Sequence, residues 1–276
     1  MTRQLRVRLL TADPGHPLLT AAAVLLRAGG HTVDTQHPAA PEEPGRPDVC
    51  LLKARTPQAL ALAARLEERG VPVVNPVAAT AFCQDRQRMA DRALAAGLPF
   101  APTRTADLAG LDVPEPAVVK SLHSRRGDLV AAVPDTATAR RLAAEWPGEP
   151  VVVQPLAAND GWDHKLWAVD GRLFAERRRS ELAPPAPGAA TRAALPVAEL
   201  PAHWRDLALA AGEVFGLDVY GVDILATAAG PLIVDVNAFP GIRGQAGAPE
   251  ALAALAVAAG TGSRRPAERA AVRAAG

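Results

Sequence analysis

The chain has 276 residues, 49% of them hydrophobic and 21% charged, a length and composition that suit two or three small lobes with ample core. Its 30 basic and 29 acidic side chains leave a formal charge of +1, so no strong field favours a nucleic acid or a membrane surface as partner. Two cysteines far apart in sequence, Cys50 and Cys83, exclude a disulfide framework or a clustered zinc site; with a charged N-terminus and no apolar run of spanning length, a cytoplasmic protein is expected.

In chain order, residues 5–11 read as a strand, 17–28 as a helix closed by Gly29-Gly30, and 31–35 as a second strand. The proline-rich segment 38–47 is a loop, 48–53 a buried strand, and Thr56 caps a helix through Glu68 before a strand at 71–75. This β-α-β-β-α-β rhythm predicts a small parallel α/β lobe over residues 1–82. It lacks Gly-x-Gly-x-x-Gly after its first strand, so dinucleotide binding has no support. Residues 78–96 read as one helix and 99–103 as an extended linker. Short strands at 117–120, 128–133 and 151–154 flank a helix at 136–146, giving a central unit over residues 83–157. A third unit, 158–262, starts with a hairpin, 163–169 and 172–178, turned at Asp170-Gly171. Residues 180–201 read as an Ala/Pro-rich loop, 204–215 and 249–259 as helices, and 219–227 and 232–237 as strands. Residues 263–276 are expected to fray.

Chemistry concentrates in the last pair of strands. Asp235 and Asn237 are two apart and share a sheet face, and Asp223 on the neighbouring strand can join them. Two carboxylates and an amide oxygen suit a hard cation such as Mg²⁺, with Mn²⁺ as an alternative. Lysine occurs only at Lys53, Lys120 and Lys165, against arginine everywhere else, so a retained lysine hints that a compact ammonium is wanted. Lys120 ends an apolar strand from which it can reach phosphate oxygens; a solvated strand end is the plainer alternative. Gln154, Pro155 and Leu156 end another strand, where a proline that stops sheet pairing frees backbone groups for an adenine edge; an ordinary edge strand explains them too. Asp163 and Lys165 share a face, as an exposed ion-pair ladder also would. Among Arg177, Arg178 and Arg179, one can clamp a γ-phosphate.

Taken in order, Val-Val-Lys120, Val-Gln154-Pro-Leu, Trp-Asp163-His-Lys165, Arg179, Gly-Val-Asp223 and Asp235-Val-Asn237-x-x-Pro-Gly resemble the ATP-grasp superfamily. The similarity is greatest to RimK-type and lysine-biosynthesis-type carboxylate–amine ligases, over about residues 80–260. The resemblance implies an α/β ATP-grasp fold preceded by a parallel pre-ATP-grasp domain. It implies that Lys120 holds phosphates, that Gln154, Pro155 and Leu156 form the adenine hinge, and that Asp163, Lys165 and Arg179 line the nucleotide. Asp223, Asp235 and Asn237 become the Mg²⁺ ligands, and Arg192 stands where relatives place an arginine near an acyl phosphate. Arg86 falls at the family's first lysine. Relatives usually carry Glu at Asp235, a glycine-rich loop where this chain has Ser121-Leu122-His123-Ser124-Arg125-Arg126-Gly127-Asp128, and an Asn near Ala189. Arg125 and Arg126 could supply charge in place of loop amides. The implied activity is amide formation through an acyl phosphate, from an amino acid or peptide substrate or a carrier protein, by a homodimer or homotetramer. A small-molecule kinase, a non-catalytic nucleotide-binding protein and a coincidental match remain alternatives.

Overall fold

The computed structural model describes residues 3–42, 44–183 and 190–264. Strands β1 (Arg6–Leu10), β2 (Thr32–Gln36), β3 (Val49–Leu52) and β4 (Val73–Val74) form a parallel sheet in the order β2-β1-β3-β4. All four β3 residues are buried, because a parallel strand covered on both faces must be apolar throughout. Helices α1 (Pro17–Ala28) and α2 (Pro57–Glu68) each begin on a proline, whose missing N–H costs nothing in a first turn. Thr56 caps α2, its Oγ1 accepting from the Ala59 amide at 3.2 Å.

The single helix expected over 78–96 is two helices, α3 (Val77–Phe82) and α4 (Arg86–Ala95). Asp85 leaves the helical path to cap α4, accepting from the Arg88 amide at 3.0 Å. The break also docks a neighbour: the Arg86 amide donates to Leu122 O at 3.0 Å, and Gln84 O accepts from the Ser124 amide at 2.8 Å. A second, antiparallel sheet holds β5 (Arg104–Ala106), β6 (Ala117–Ser121), β7 (Val130–Val133) and β8 (Val151–Pro155) in the order β5-β8-β6-β7, with α5 (Thr136–Glu145) packed on it.

The third sheet comprises β9 (Trp162–Val169), β10 (Arg172–Arg179), β11 (Arg192–Ala194), β12 (Val219–Thr227) and β13 (Gly230–Ala238), ordered β11-β10-β9-β12-β13. Asp170 and Gly171 both have positive φ, 53° and 74°, as the tight β9–β10 turn demands. One face of the sheet buries Leu166, Val222, Ile224 and Val236 against α4 and α6 (Ala202–Phe215). Phe215 in that core is 2% exposed, and burying a side chain of this size contributes about 2–3 kcal/mol. At one end of the other face, Trp167, Val169 and Val219 join α1 and α7 (Ala248–Thr261) in a core shared with the first lobe. Asn75, fully buried, stitches the same junction. Its Nδ2 donates to Val219 O at 2.6 Å, and its Oδ1 accepts from the Asp218 and Val219 amides, each at 2.8 Å.

Two loop expectations are corrected. Residues 180–201 contain β11 and a 3-10 turn at Val197–Glu199; 184–189, including Ala189, lie outside the described residues. Of the expected frayed segment, 265–276 lies outside them too, but Arg264 is anchored by ion pairs to Asp170 and Asp218.

Candidate functional site

Register across the third sheet assembles the site. Lys165 on β9 is paired with Asp223 on β12, and Asp223 with Asp235 on β13. Asn237 lies two residues beyond Asp235 and shares its face. Glu176 on β10 sits opposite Lys165, so four charged residues cross four strands in one row. The reverse face is the α4–α6 core, which fixes which way the row points. The β12–β13 register slips after Asp223, an irregularity of the kind that re-aims side chains beside functional sites.

The row is closed by side chains from elsewhere. Lys120, 7% exposed, reaches across from the second sheet, and its Nζ donates to Val234 O at 2.9 Å. Arg86, at the start of α4, donates to Ser121 O at 2.8 Å and to Asp128 Oδ2 at 2.7 Å, and lies 3.6 Å from Asp235 Oδ2. Its Nε is buried without a partner. Lys165 Nζ donates to Asp223 Oδ2 at 2.7 Å, and Asn237 Nδ2 is 3.5 Å from Asp235 Oδ2. Burial pulls the Lys120 ammonium below the ordinary lysine range, against the pull of Asp235. Burial acts to lower Lys165 as well, but Asp223, Asp163 and Asp235 together hold it above that range. Burial, helped by the like charge of Asp235, pushes the Asp223 carboxyl up despite Lys165.

The sequence-predicted residues separate into those brought together and those not. Lys120, Lys165, Arg86, Asp223, Asp235 and Asn237 converge. Asp163 lies on the same face, opposite Arg178 rather than Arg179. Arg179 alternates to the reverse face, where it and Arg177 approach the Trp162 ring at 5.9 and 5.0 Å. Gln154 is buried, its Nε2 donating to Thr103 Oγ1 at 3.0 Å. Proline does not end the pairing of β8: the Leu156 amide still donates to Pro116 O at 3.0 Å and is committed to the sheet. Arg125 forms a two-armed pair with Glu149 at 2.6 and 2.8 Å. Arg192 lies on edge strand β11 and donates to Glu176 Oε2 at 2.7 Å; Glu176 also accepts from Arg178. Burial opposes ionisation of Glu176, but these two guanidinium groups hold its carboxyl below the ordinary range.

Glu176 was missed in sequence, and Arg178 was weighed there beside Arg177 and Arg179 but passed over for Arg179, although the Asp170-Gly171 turn already sets the register that places both. Together with Arg192, Phe174, Pro196 and Gln245, Glu176 lines a cavity of about 440 Å³ at the sheet edge. The oxygens of Asp223, Asp235 and Asn237 fit a hard divalent ion, and Lys120, Lys165 and Arg86 fit the oxygens of a polyphosphate. Among the described residues no three Asp, Glu, His or Cys side chains form a closed metal cage. An incomplete oxygen set is what Mg²⁺ takes when phosphates and water fill its remaining positions.

The family model of the RimK-like ATP-grasp domain matches residues 103–248, more than half of the chain. The chain belongs to the RimK-like ATP-grasp family. Curated relatives of this family include ribosomal protein bS6–L-glutamate ligases from Salmonella paratyphi B and Salmonella newport, each 30% identical over 152 residues, 54% of this chain and 51% of theirs. The chain spans about half the length of the curated relatives it matches. Among solved structures, a RimK-domain ATP-grasp protein from Sphaerobacter thermophilus superposes with a TM-score of 0.73 at 25% identity, over 91% of this chain and 98% of that one. D-alanine–D-alanine ligase from Bacillus anthracis superposes with a TM-score of 0.70 at 13% identity, over 94% and 100%, a likeness of fold alone. Among the described residues no helix is long and apolar enough to cross a membrane.

Proposed function

We propose that this chain is an ATP-dependent carboxylate–amine ligase that joins an amino acid or peptide through an amide bond, releasing ADP and phosphate. The observation that carries this reading is the cross-strand row of Lys165, Asp223 and Asp235, with Asn237 on its face and Lys120 closing it from a second sheet. The name of its curated relatives, ribosomal protein bS6–L-glutamate ligase, supports an amino-acid or peptide substrate class.

Bound Mg-ATP supplies the phosphoryl group that turns a substrate carboxylate into an acyl phosphate. The work of the chain is positional and electrostatic. Asp223, Asp235 and Asn237 would hold the ion. Lys120, Lys165 and Arg86 neutralise phosphate oxygens, and Asp163 with Arg178, rather than Arg179, lines the same face. The segment Gln154-Pro155-Leu156 borders the base, through groups other than the committed Leu156 amide. Arg192, steadied by Glu176, meets the carboxylate at the mouth of the cavity. The amine then forms the C–N bond as the acyl C–O bond breaks; phosphate leaves and the proton of the amine passes to water. No side-chain nucleophile takes part.

The test is product analysis with a panel of acids and amines. ADP and phosphate forming in step with an amide, and only when both substrates are present, supports the ligase. AMP and pyrophosphate would refute it, and a phosphorylated hydroxyl without amide would make the protein a kinase.

A further inference from the structure

A second group of basic side chains lies outside the row, and among the described residues neither Lys53, Arg55 nor Arg243 forms an ion pair. Asp13 and His16 stand in the turn after β1, Lys53 and Arg55 in the turn after β3, and Gly241 and Arg243 in the turn after β13. The first two turns are at the carboxyl ends of neighbouring parallel strands, the crevice in which open α/β sheets take ligands. The third enters the same crevice: a Cβ placed on Gly241 would lie 3.3 Å from His16 Nε2 and 3.8 Å from Arg243 Nε. Lys53 Nζ stands 5.8 Å from the centre of the Phe239 ring in that turn.

Several groups here are unanswered. His16 is 4% exposed, and its Nδ1 has no hydrogen-bond partner. It precedes α1, whose first turn has no side-chain cap. Among the described residues no hydrogen bond or ion pair engages the side chain of Lys53 or Arg243. The one side-chain bond of Arg55 among the described residues goes to Ser124 Oγ at 3.5 Å. Asp13 is the one acid among the described residues whose charge reaches both Lys53 and His16, and it forms no ion pair with any of them. Three cations against one carboxylate leave two positive charges uncompensated. The repulsion is felt: burial first, then Arg55 and Arg243, pull the Lys53 ammonium down to about 8, and burial with Lys53 and Arg243 lowers His16.

We propose that the crevice between His16, Lys53, Arg55 and Arg243 is an anion subsite that binds a small dicarboxylate. Its two negative charges match the two that the crevice lacks. Asn237 of the metal-facing row leads through Phe239-Pro240-Gly241 directly into this subsite, so an acid anchored here is tethered beside the row. That role as substrate anchor rests on the ligase reading; the binding itself does not.

The experiment is calorimetric titration of the whole chain with glutarate, butyrate and inorganic phosphate, and separately with Mg-ATP, on the wild type, Lys53→Met and Arg243→Gln. Saturable glutarate binding, at least tenfold tighter than butyrate and weakened at least tenfold in both variants while Mg-ATP affinity stays within twofold, is expected. Absent glutarate binding, equal affinity for butyrate, preference for phosphate or indifference to both substitutions would each overturn the subsite. Parallel loss of Mg-ATP would also overturn it, assigning the cations to the nucleotide. Glutarate binding without any Mg-ATP binding would instead sink the ligase reading and leave the subsite standing. Both substituted side chains reach solvent, and unfolding midpoints confirm that the variants are folded.

Discussion

Replacing Lys53 by Met should stabilise the protein. The ammonium is held at about 8 against an ordinary 10.5, with burial as the main cause and the charges of Arg55 and Arg243 adding to it. Each tenfold in proton affinity is about 1.4 kcal/mol, so the full difference is about 3 kcal/mol; solvent screening at a partly exposed side chain trims the gain to about 1–3 kcal/mol. Below pH 8 the group is charged in both folded and unfolded chains, and the folded state bears the whole cost. As pH rises from 8 to 10.5 the folded lysine loses its proton first, the unfolded chain binds more protons, and wild-type stability gains on that of the variant. Above 10.5 both forms are neutral and the cost is gone. Urea unfolding at intervals from pH 7 to 10.5 measures this as the difference between wild type and Lys53→Met, in which the buried Cys50 and Cys83 thiols, pushed up to about 12, cancel. A variant no more stable than wild type at pH 7, or a difference that does not shrink with pH, would refute the reasoning. A residue that costs stability and is retained fits a binding role.

Asp235→Asn takes the negative charge from a proposed ion ligand and from the partner of Arg86; Mg-dependent ATP binding should weaken at least tenfold by calorimetry, and turnover should fall about 10²–10³-fold. Glu176→Gln leaves Arg192 and Arg178 without their shared carboxylate, so kcat should drop about tenfold or more while KM for ATP holds, because the damage is at the proposed acyl end of the site. Asn75→Ala takes the side-chain partner from the buried Asp218 and Val219 amides at the lobe junction, while Val219 O keeps the Phe239 amide, and should cost about 2–4 kcal/mol in thermal or urea unfolding; a loss below about 1 kcal/mol would mean that water replaces the side chain.

Regular periodicity made much of the fold legible. The apolar–acidic alternation of 219–227 and 232–237 located β12, β13 and the face of Asp223, Asp235 and Asn237, and proline and glycine punctuation bounded α1 and α2. What failed was short or decided by partners. Residues 83–85 hold no glycine or proline, so the kink between α3 and α4 was hidden; Asp85 as a cap was the available signal. Strands β5 and β11 are three residues each and owe their conformation to the neighbours β8 and β10. Arg179 was preferred to Arg178 from motif order, whereas counting pairs back from the Asp170-Gly171 turn puts Arg178 opposite Asp163. The burial of Lys120 and its reach to Val234 come from the meeting of two sheets, which no local pattern encodes.

In this structure the carboxylates suited to an ion and the cations suited to phosphates are already bonded to one another, Lys165 to Asp223 and Arg86 near Asp235. Neither kind of ligand finds its partners free, so each must break pairs that the other would help to break. A nucleotide that draws Lys165 and Arg86 onto its phosphates releases the carboxylates for the ion, and the ion in turn releases the bases. Such reciprocity is a coupling free energy, about 1–3 kcal/mol in typical cases, and it must read the same from either side. With the ligands held as proposed, the row would work as a coincidence detector, with an expected weak response to free ATP or to Mg²⁺ alone and a strong one to the two together.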